Sequence, residues 1–279
     1  MIEQFPVRPP GPPLEFSKYE GLGNDFILIF VEDVTQELAR FMCDRHFGIG
    51  ADGVIRILPA SNPDYDFHFR LFNSDGGQAE VSGNGLRCVG RFLHEAGLWS
   101  QPRVKVETGG QVKVIEVTVA GGEVATVRVD MGTAEVQGTV DLFDRTWHKI
   151  LTGNPHAVTM VDDIDAAPVT ELGPLMETHE SFPNRTNVEF YRPLSRHELR
   201  MRVWERGAGE TLSSGSGSTA TAVAAIVNDR AASPVVVHLD VGDLTIEVGD
   251  ELAVRLTGPV ERIHRGEFSA EFVDGLGRL

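Results

Sequence analysis

Cysteine is scarce in this 279-residue chain, with Cys43 and Cys88 its only two thiols. Two thiols make neither a disulfide framework nor a four-ligand structural zinc site, and such thrift fits a reducing compartment. Basic residues are also few, 25 against 41 acidic ones, and the formal net charge of −16 repels nucleic acid and anionic membrane alike. No apolar run approaches the roughly 18–20 residues that span a bilayer. The opening MIEQFPVRPPGPPLE lacks the basic-then-apolar order of a secretory signal. A cytoplasmic protein with no nucleic-acid or membrane partner is expected.

What is present points to a folded chain. A hydrophobic content of 41% over 279 residues suffices for real cores and for two domains of ordinary size. The Pro-rich opening, residues 1–15, reads as an extended arm. Cys88 and Cys43 fall on apolar faces and read as small buried hydrophobes.

Two stretches carry the chemistry. In FNSDGGQAEVSGNGLRCVG, Ser82 is followed by Gly83, Asn84 and Gly85, and then Leu86, Val89, Phe92 and Leu93 recur at helical spacing. Ser82 would therefore stand at a helix N-terminus. The arrangement returns at Ser214, followed by Gly215, Ser216, Gly217 and an apolar run. A helix start offers free backbone N–H groups and the positive end of the dipole, which suit an anion. A lone copy is most often a plain cap. A matched pair suggests two halves that each contribute one helix end to a shared site.

Elsewhere, Thr35 to Phe47 reads as a helix with Thr35 as N-cap, and His46 as a residue favouring its C-terminal dipole. Asn24 and Asp25 read as turn chemistry ahead of a strand from Phe26 to Val31. Short strands in period two follow one another from Val104 onward, with Gly-Gly turns among them. The expected fold is α+β, with curved antiparallel sheets each wrapped on one helix.

Six motifs in order, GLGNDF (21–26), DRHFGIGADG (44–53), NSDG..AE.SGNGLRC (73–88), GNPH (153–156), TNVEF (186–190) and ERGAGETL.SGSG (205–217), resemble the diaminopimelate epimerase family over nearly the whole chain from Phe16 onward. The resemblance implies two pseudo-symmetric domains, residues 16–125 with 263–279 and residues 126–262, closing on a substrate. It implies cofactor-independent inversion of the α-carbon of diaminopimelate by two-base proton transfer, in lysine and peptidoglycan precursor synthesis, with no metal. It places the two acid–base residues, cysteines in the family, at Ser82 and Ser214, so this chain departs from the pattern twice. A thiol with a pKa near 8.5 can be drawn toward neutrality, whereas a hydroxyl works only when another group takes its proton. His156 and Glu205 match the family's supporting polar residues and are candidates for that role. Read alone, His156 is a turn histidine and Glu205 a partner for Arg206 or a cap for the following loop.

The resemblance further assigns Asn24, Asn73, Asn154, Asn187 and Arg206 to the distal end of the substrate, where amides and a guanidinium can meet a carboxylate and an ammonium. Gly83 and Asn84, with Gly215 and Ser216, match two backbone nests for the α-carboxylate. Three readings stay open: an epimerase, a silent binder of a diaminopimelate-like ligand, and a related isomerase or dehydratase. The expected partner is a small amino acid, and a homodimer is left open.

Overall fold

The computed structural model describes residues 14–31, 33–79, 82–269 and 271–272. Of the expected Pro-rich arm, residues 1–13 lie outside the described residues, while Leu14 and Glu15 already belong to a strand. The first series of elements is β1 (Leu14–Gly21), β2 (Asn24–Ile29), α1 (Gln36–Cys43), β3 (Gly53–Pro59), β4 (Phe67–Asn73), β5 (Gln78–Ala79), α2 (Gly83–Glu95), β6 (Arg103–Thr108), β7 (Gln111–Ala120), β8 (Glu123–Thr133) and β9 (Glu135–Leu142). The second is β10 (Arg145–Leu151), β11 (Pro155–Met160), α3 (Val169–Glu177), β12 (Asn187–Ser195), β13 (Glu198–Glu205), β14 (Gly209–Thr211), α4 (Gly215–Val227), β15 (Val235–Leu239), β16 (Gly242–Val248), β17 (Ala253–Gly258) and β18 (Glu261–Phe268).

The second series repeats the pairing of the first. β1 with β2 and β10 with β11 are antiparallel, β2 with β3 and β11 with β12 are parallel, and β4 with β6 and β13 with β15 are parallel again. Each parallel pair is bridged by a helix, since parallel neighbours need a crossover long enough to return the chain to the same end. The sheet is thus mixed rather than purely antiparallel, and the fold is α+β. The two series join where β8 runs antiparallel to β17. Their last strands follow one rule: β9 pairs with β10, and β18 returns to pair with β1.

Each series wraps its core on one helix. α2 sends Leu86, Val89 and Leu93 against Tyr19, Phe26, Ile55, Phe69, Ile115 and Val127. α4 packs Ala220, Val223 and Ala224 against Leu199, Val203, Val235 and Ile246. Residues Gly217 to Ala225 of α4 are buried on every side, so its small residues let surrounding strands approach closely. Cys88 and Cys43 are buried in apolar cores, and burial pushes both thiols up to about 12.

Several elements differ from expectation. α1 ends at Cys43, because the Asp44 carboxylate accepts from the backbone N–H groups of His46 and Phe47 and turns the chain, so His46 lies beyond the helix. β1 is a strand whose alternation is masked by a buried Lys18 paired with Asp25 at 2.8 Å. α3 was not anticipated, since Gly173 and Pro174 interrupt its pattern. At Gly173 a Cβ would lie 2.5 Å from the Trp204 ring, which dictates the glycine. No helix among the described residues is long and apolar enough to cross a membrane.

Candidate active site

Both serines cap their helices. Ser82 precedes α2 in extended conformation and its Oγ accepts from the Gly85 N–H at 3.0 Å. Ser214 precedes α4 likewise and accepts from the Gly217 N–H at 3.2 Å. Each hydroxyl satisfies one N–H of its first turn and leaves the others, at Gly83 and Asn84 and at Gly215 and Ser216, without an intrahelical acceptor.

The two helix starts meet. A Cβ on Gly215 would stand 3.7 Å from the Cα of Gly83 and 3.5 Å from Asn84 Oδ1. Leu256 of β17 lies beneath both glycines, so the β8–β17 seam supports the junction. Asn84 Nδ2 donates to Asn24 Oδ1 at 3.2 Å and reaches Ser213 Oγ at 3.5 Å, which ties the first series to the second. Its Oδ1 is buried with no hydrogen-bond partner among the described residues. Two positive dipole ends brought together repel each other, and an anion between them relieves that repulsion.

Proton-handling groups gather on the α4 side. The Glu205 carboxylate accepts from Thr211 Oγ1 at 2.6 Å and is close enough to Ser214 for that hydroxyl to favour its charged form. Burial pushes the Glu205 carboxyl above its ordinary range; the two hydroxyl donors oppose that, and the neighbouring Glu189 adds to it. Glu205 thus stands beside Thr211 and Ser214, while the Arg206 guanidinium turns to Asn184 O instead. His156 has both ring nitrogens engaged, Nδ1 at 2.7 Å from Glu189 Oε1 and Nε2 at 2.9 Å from Asn154 Oδ1. Neither nitrogen is turned to Ser82, and among the described residues no carboxylate bonds to the Ser82 hydroxyl.

The remaining candidates divide. Asn24 is fixed by donating to Asp52 Oδ2 at 2.8 Å, and Asp52 also accepts from the Asp25 N–H and from Arg45. Asp25, held between Lys18 and Arg45, stays below the ordinary carboxylate range although burial alone would raise it. These ion pairs supersede the simple turn reading of Asn24 and Asp25. Asn187 lies opposite His156 in the β11–β12 pair; its Nδ2 donates to Pro155 O at 3.0 Å and its Oδ1 accepts the Arg206 N–H at 2.9 Å. The Arg206 guanidinium itself turns to Asn184 O at 3.0 Å. Asn73 closes β4 as an exposed residue and, among the described residues, is not drawn into the Asn24–Asn84 group.

Asp52, Glu189 and Ser213 had no assigned part, although each lies inside or beside a motif. A cavity of about 320 Å³ lined by Arg145, His148, Tyr191 and Arg230 shares no residue with the helix junction.

This architecture is a known one. A "Predicted Epimerase" from Pseudomonas aeruginosa superposes with a TM-score of 0.72 at 18% identity, over 91% of this chain and 99% of that one. A hydroxyproline epimerase from Agrobacterium vitis gives 0.70 at 15% identity, over 92% of each. The fold is that of this epimerase group. At the sequence level, the family model of diaminopimelate epimerase matches residues 16–137 and 149–263. The diaminopimelate epimerase of Pelotomaculum thermopropionicum is 43% identical over 91% of this chain and 99% of its own length. The chain belongs to the diaminopimelate epimerase family.

Proposed function

We propose that the protein acts at the α-carbon of diaminopimelate as a cofactor-independent epimerase, interconverting the L,L and meso forms in lysine and peptidoglycan precursor synthesis. The observation that carries this reading is the junction of the two serine-capped helices at Gly83 and Gly215. Four first-turn N–H groups surround the place for an α-carboxylate and stabilise the enediolate charge that develops as the α-proton leaves.

On the α4 side the C–H bond gives its electron pair to the carbanion. Its proton passes to the Ser214 oxygen as the hydroxyl proton moves to Glu205, so Glu205 is the net acceptor. On the α2 side Ser82 delivers a proton that water replaces, as no carboxylate among the described residues bonds to its hydroxyl. Asn24, Asn73, Asn154, Asn187 and Arg206 hold the distal amino-acid end. Two units, residues 16–125 with 263–279 and residues 126–262, close on the substrate; the pairing of β9 with β10 and of β18 with β1 supports the exchange of end strands, while the boundary at 126 falls within β8, whose Val127 and Val129 pack in the α2 core. A cytoplasmic location fits the synthesis of such a precursor.

A second reading is ligand binding without turnover, favoured by the absence of a described acceptor beside Ser82. Incubation of meso- and L,L-diaminopimelate with the protein in heavy water decides between them. Epimerisation predicts slow, saturable gain of deuterium at the α-carbon. Saturable binding with no deuterium gain leaves the second reading, and no binding of either isomer removes both.

A further inference from the structure

Glu189 of β12 is a carboxylate that the proton transfer leaves unused. It is 0% exposed, its Oε1 lies 2.7 Å from His156 Nδ1, and its Oε2 has no hydrogen-bond partner among the described residues. A buried carboxylate with one unsatisfied oxygen is a costly choice for packing alone.

The hydrogen bonds show what it achieves. The 2.7 Å contact places a single proton between Nδ1 and Oε1. On the other side of the ring, Asn154 Oδ1 is an amide oxygen that only accepts, so Nε2 carries a hydrogen along the 2.9 Å contact. The ring is thereby fixed in one orientation, and the Asn154 amide with it: Oδ1 is taken by His156, and the NH2 group is turned the other way. Asn154 itself is only half-buried. Behind the carboxylate stands the first turn of α4, where a Cβ on Gly217 would lie 2.9 Å from Glu189 Oε1. The glycine lets the helix back directly onto Glu189 and leaves the carboxylate little room to swing away.

We infer that Glu189 is a positioning residue. It holds His156, and through His156 the Asn154 amide, so that the Asn154 NH2 group is presented to a carboxylate of the bound amino acid. The identity of the ligand rests on the function proposed above; the relay itself is a property of the free protein.

Three variants test it. Glu189→Gln keeps the shape and can donate to Nδ1, Glu189→Ala removes the partner, and Asn154→Asp keeps an acceptor for Nε2 but has no NH2 group. Nitrogen-15 NMR of the His156 ring is recorded in the ligand-free proteins, and binding of meso-diaminopimelate is measured by calorimetry. The expected result is a protonated, hydrogen-bonded Nε2 in wild type, Glu189→Gln and Asn154→Asp, with the bonded Nδ1 signal lost in Glu189→Ala. Affinity is expected to fall about tenfold or more in Glu189→Ala and Asn154→Asp and to change less than about threefold in Glu189→Gln. Unchanged ring signals in Glu189→Ala overturn the relay, as does wild-type affinity in Asn154→Asp. Should Glu189→Ala not fold, Asn154→Asp still decides the presentation of the amide. If the wild-type protein does not bind diaminopimelate, the functional reading fails, and the ring signals alone decide the relay.

Discussion

Glu205 sets the pH at which the proposed base works. Its carboxyl is raised by burial, so it becomes an acceptor only above the ordinary carboxylate range. The acid limb of the exchange rate should therefore lie above the reference value of about 4.3, and Glu205→Gln should abolish that limb together with most of the rate. The same shift has a stability consequence of definite sign. The native state holds this proton more tightly than the unfolded chain does, so the stability it contributes is full below the ordinary value and is lost as pH rises through the raised one. Glu205→Gln should raise Tm relative to wild type at pH 8 and not near pH 4, by roughly 2–4 °C per kcal/mol gained. An equal change at both pH values speaks against a raised carboxyl. The serines make a separate prediction at this scale. Ser82→Cys with Ser214→Cys puts groups that ionise near neutrality at two helix starts, and should increase α-hydrogen exchange about 10²–10⁴-fold. A folded double variant no faster than wild type locates the deficiency elsewhere in the pocket.

At the scale of elements, the helix that carries Ser82 is held by a tight fit. Gly90 faces the sheet where a Cβ would come within 2.5 Å of Ile115 Cγ2 and 3.0 Å of Val127 Cγ1. Gly90→Ala gains helix propensity but overpacks this contact, and a net loss of about 1–3 kcal/mol is expected from denaturant unfolding. A midpoint unchanged from wild type means that the strands yield freely. The serine-capped starts of α2 and α4 were readable in the sequence because Ser and Gly at a helix entrance have a specific backbone reason to be there. Strand directions were not: alternation reports which face is buried and says nothing of whether neighbours run parallel. α3 was hidden by Gly173 and Pro174, and β9 by the exposure of nearly all its residues. In the site, Ser82, Ser214, His156 and Glu205 could be named from the motifs. Glu189 could not be given a part, because its role depends on a diagonal contact with His156 across the parallel β11–β12 pair, where the register sets it opposite Val158.

For the whole molecule, the decisive contact is the return of β18 to β1. Seven residues from Leu14 to Glu20 pair with the segment from Phe268 to Glu261, and the buried Phe268 ring packs on Phe16 at a centroid distance of 4.8 Å. Phe268→Ala should cost about 3–5 kcal/mol. Hydrogen exchange should quicken in β1 and β2 while amides of α4 and β12 keep their protection, if the two series open separately. Uniform loss of protection indicates instead a single cooperative unit.

The same closure bears on how the protein is born. β1 finds its partner β18 only after every strand from β2 to β17 has been made. At about 5–20 residues per second this separation amounts to roughly 12–48 s. The later-synthesised lobe can close first, and for that interval the earlier one carries an open strand edge that a chaperone has time to cover.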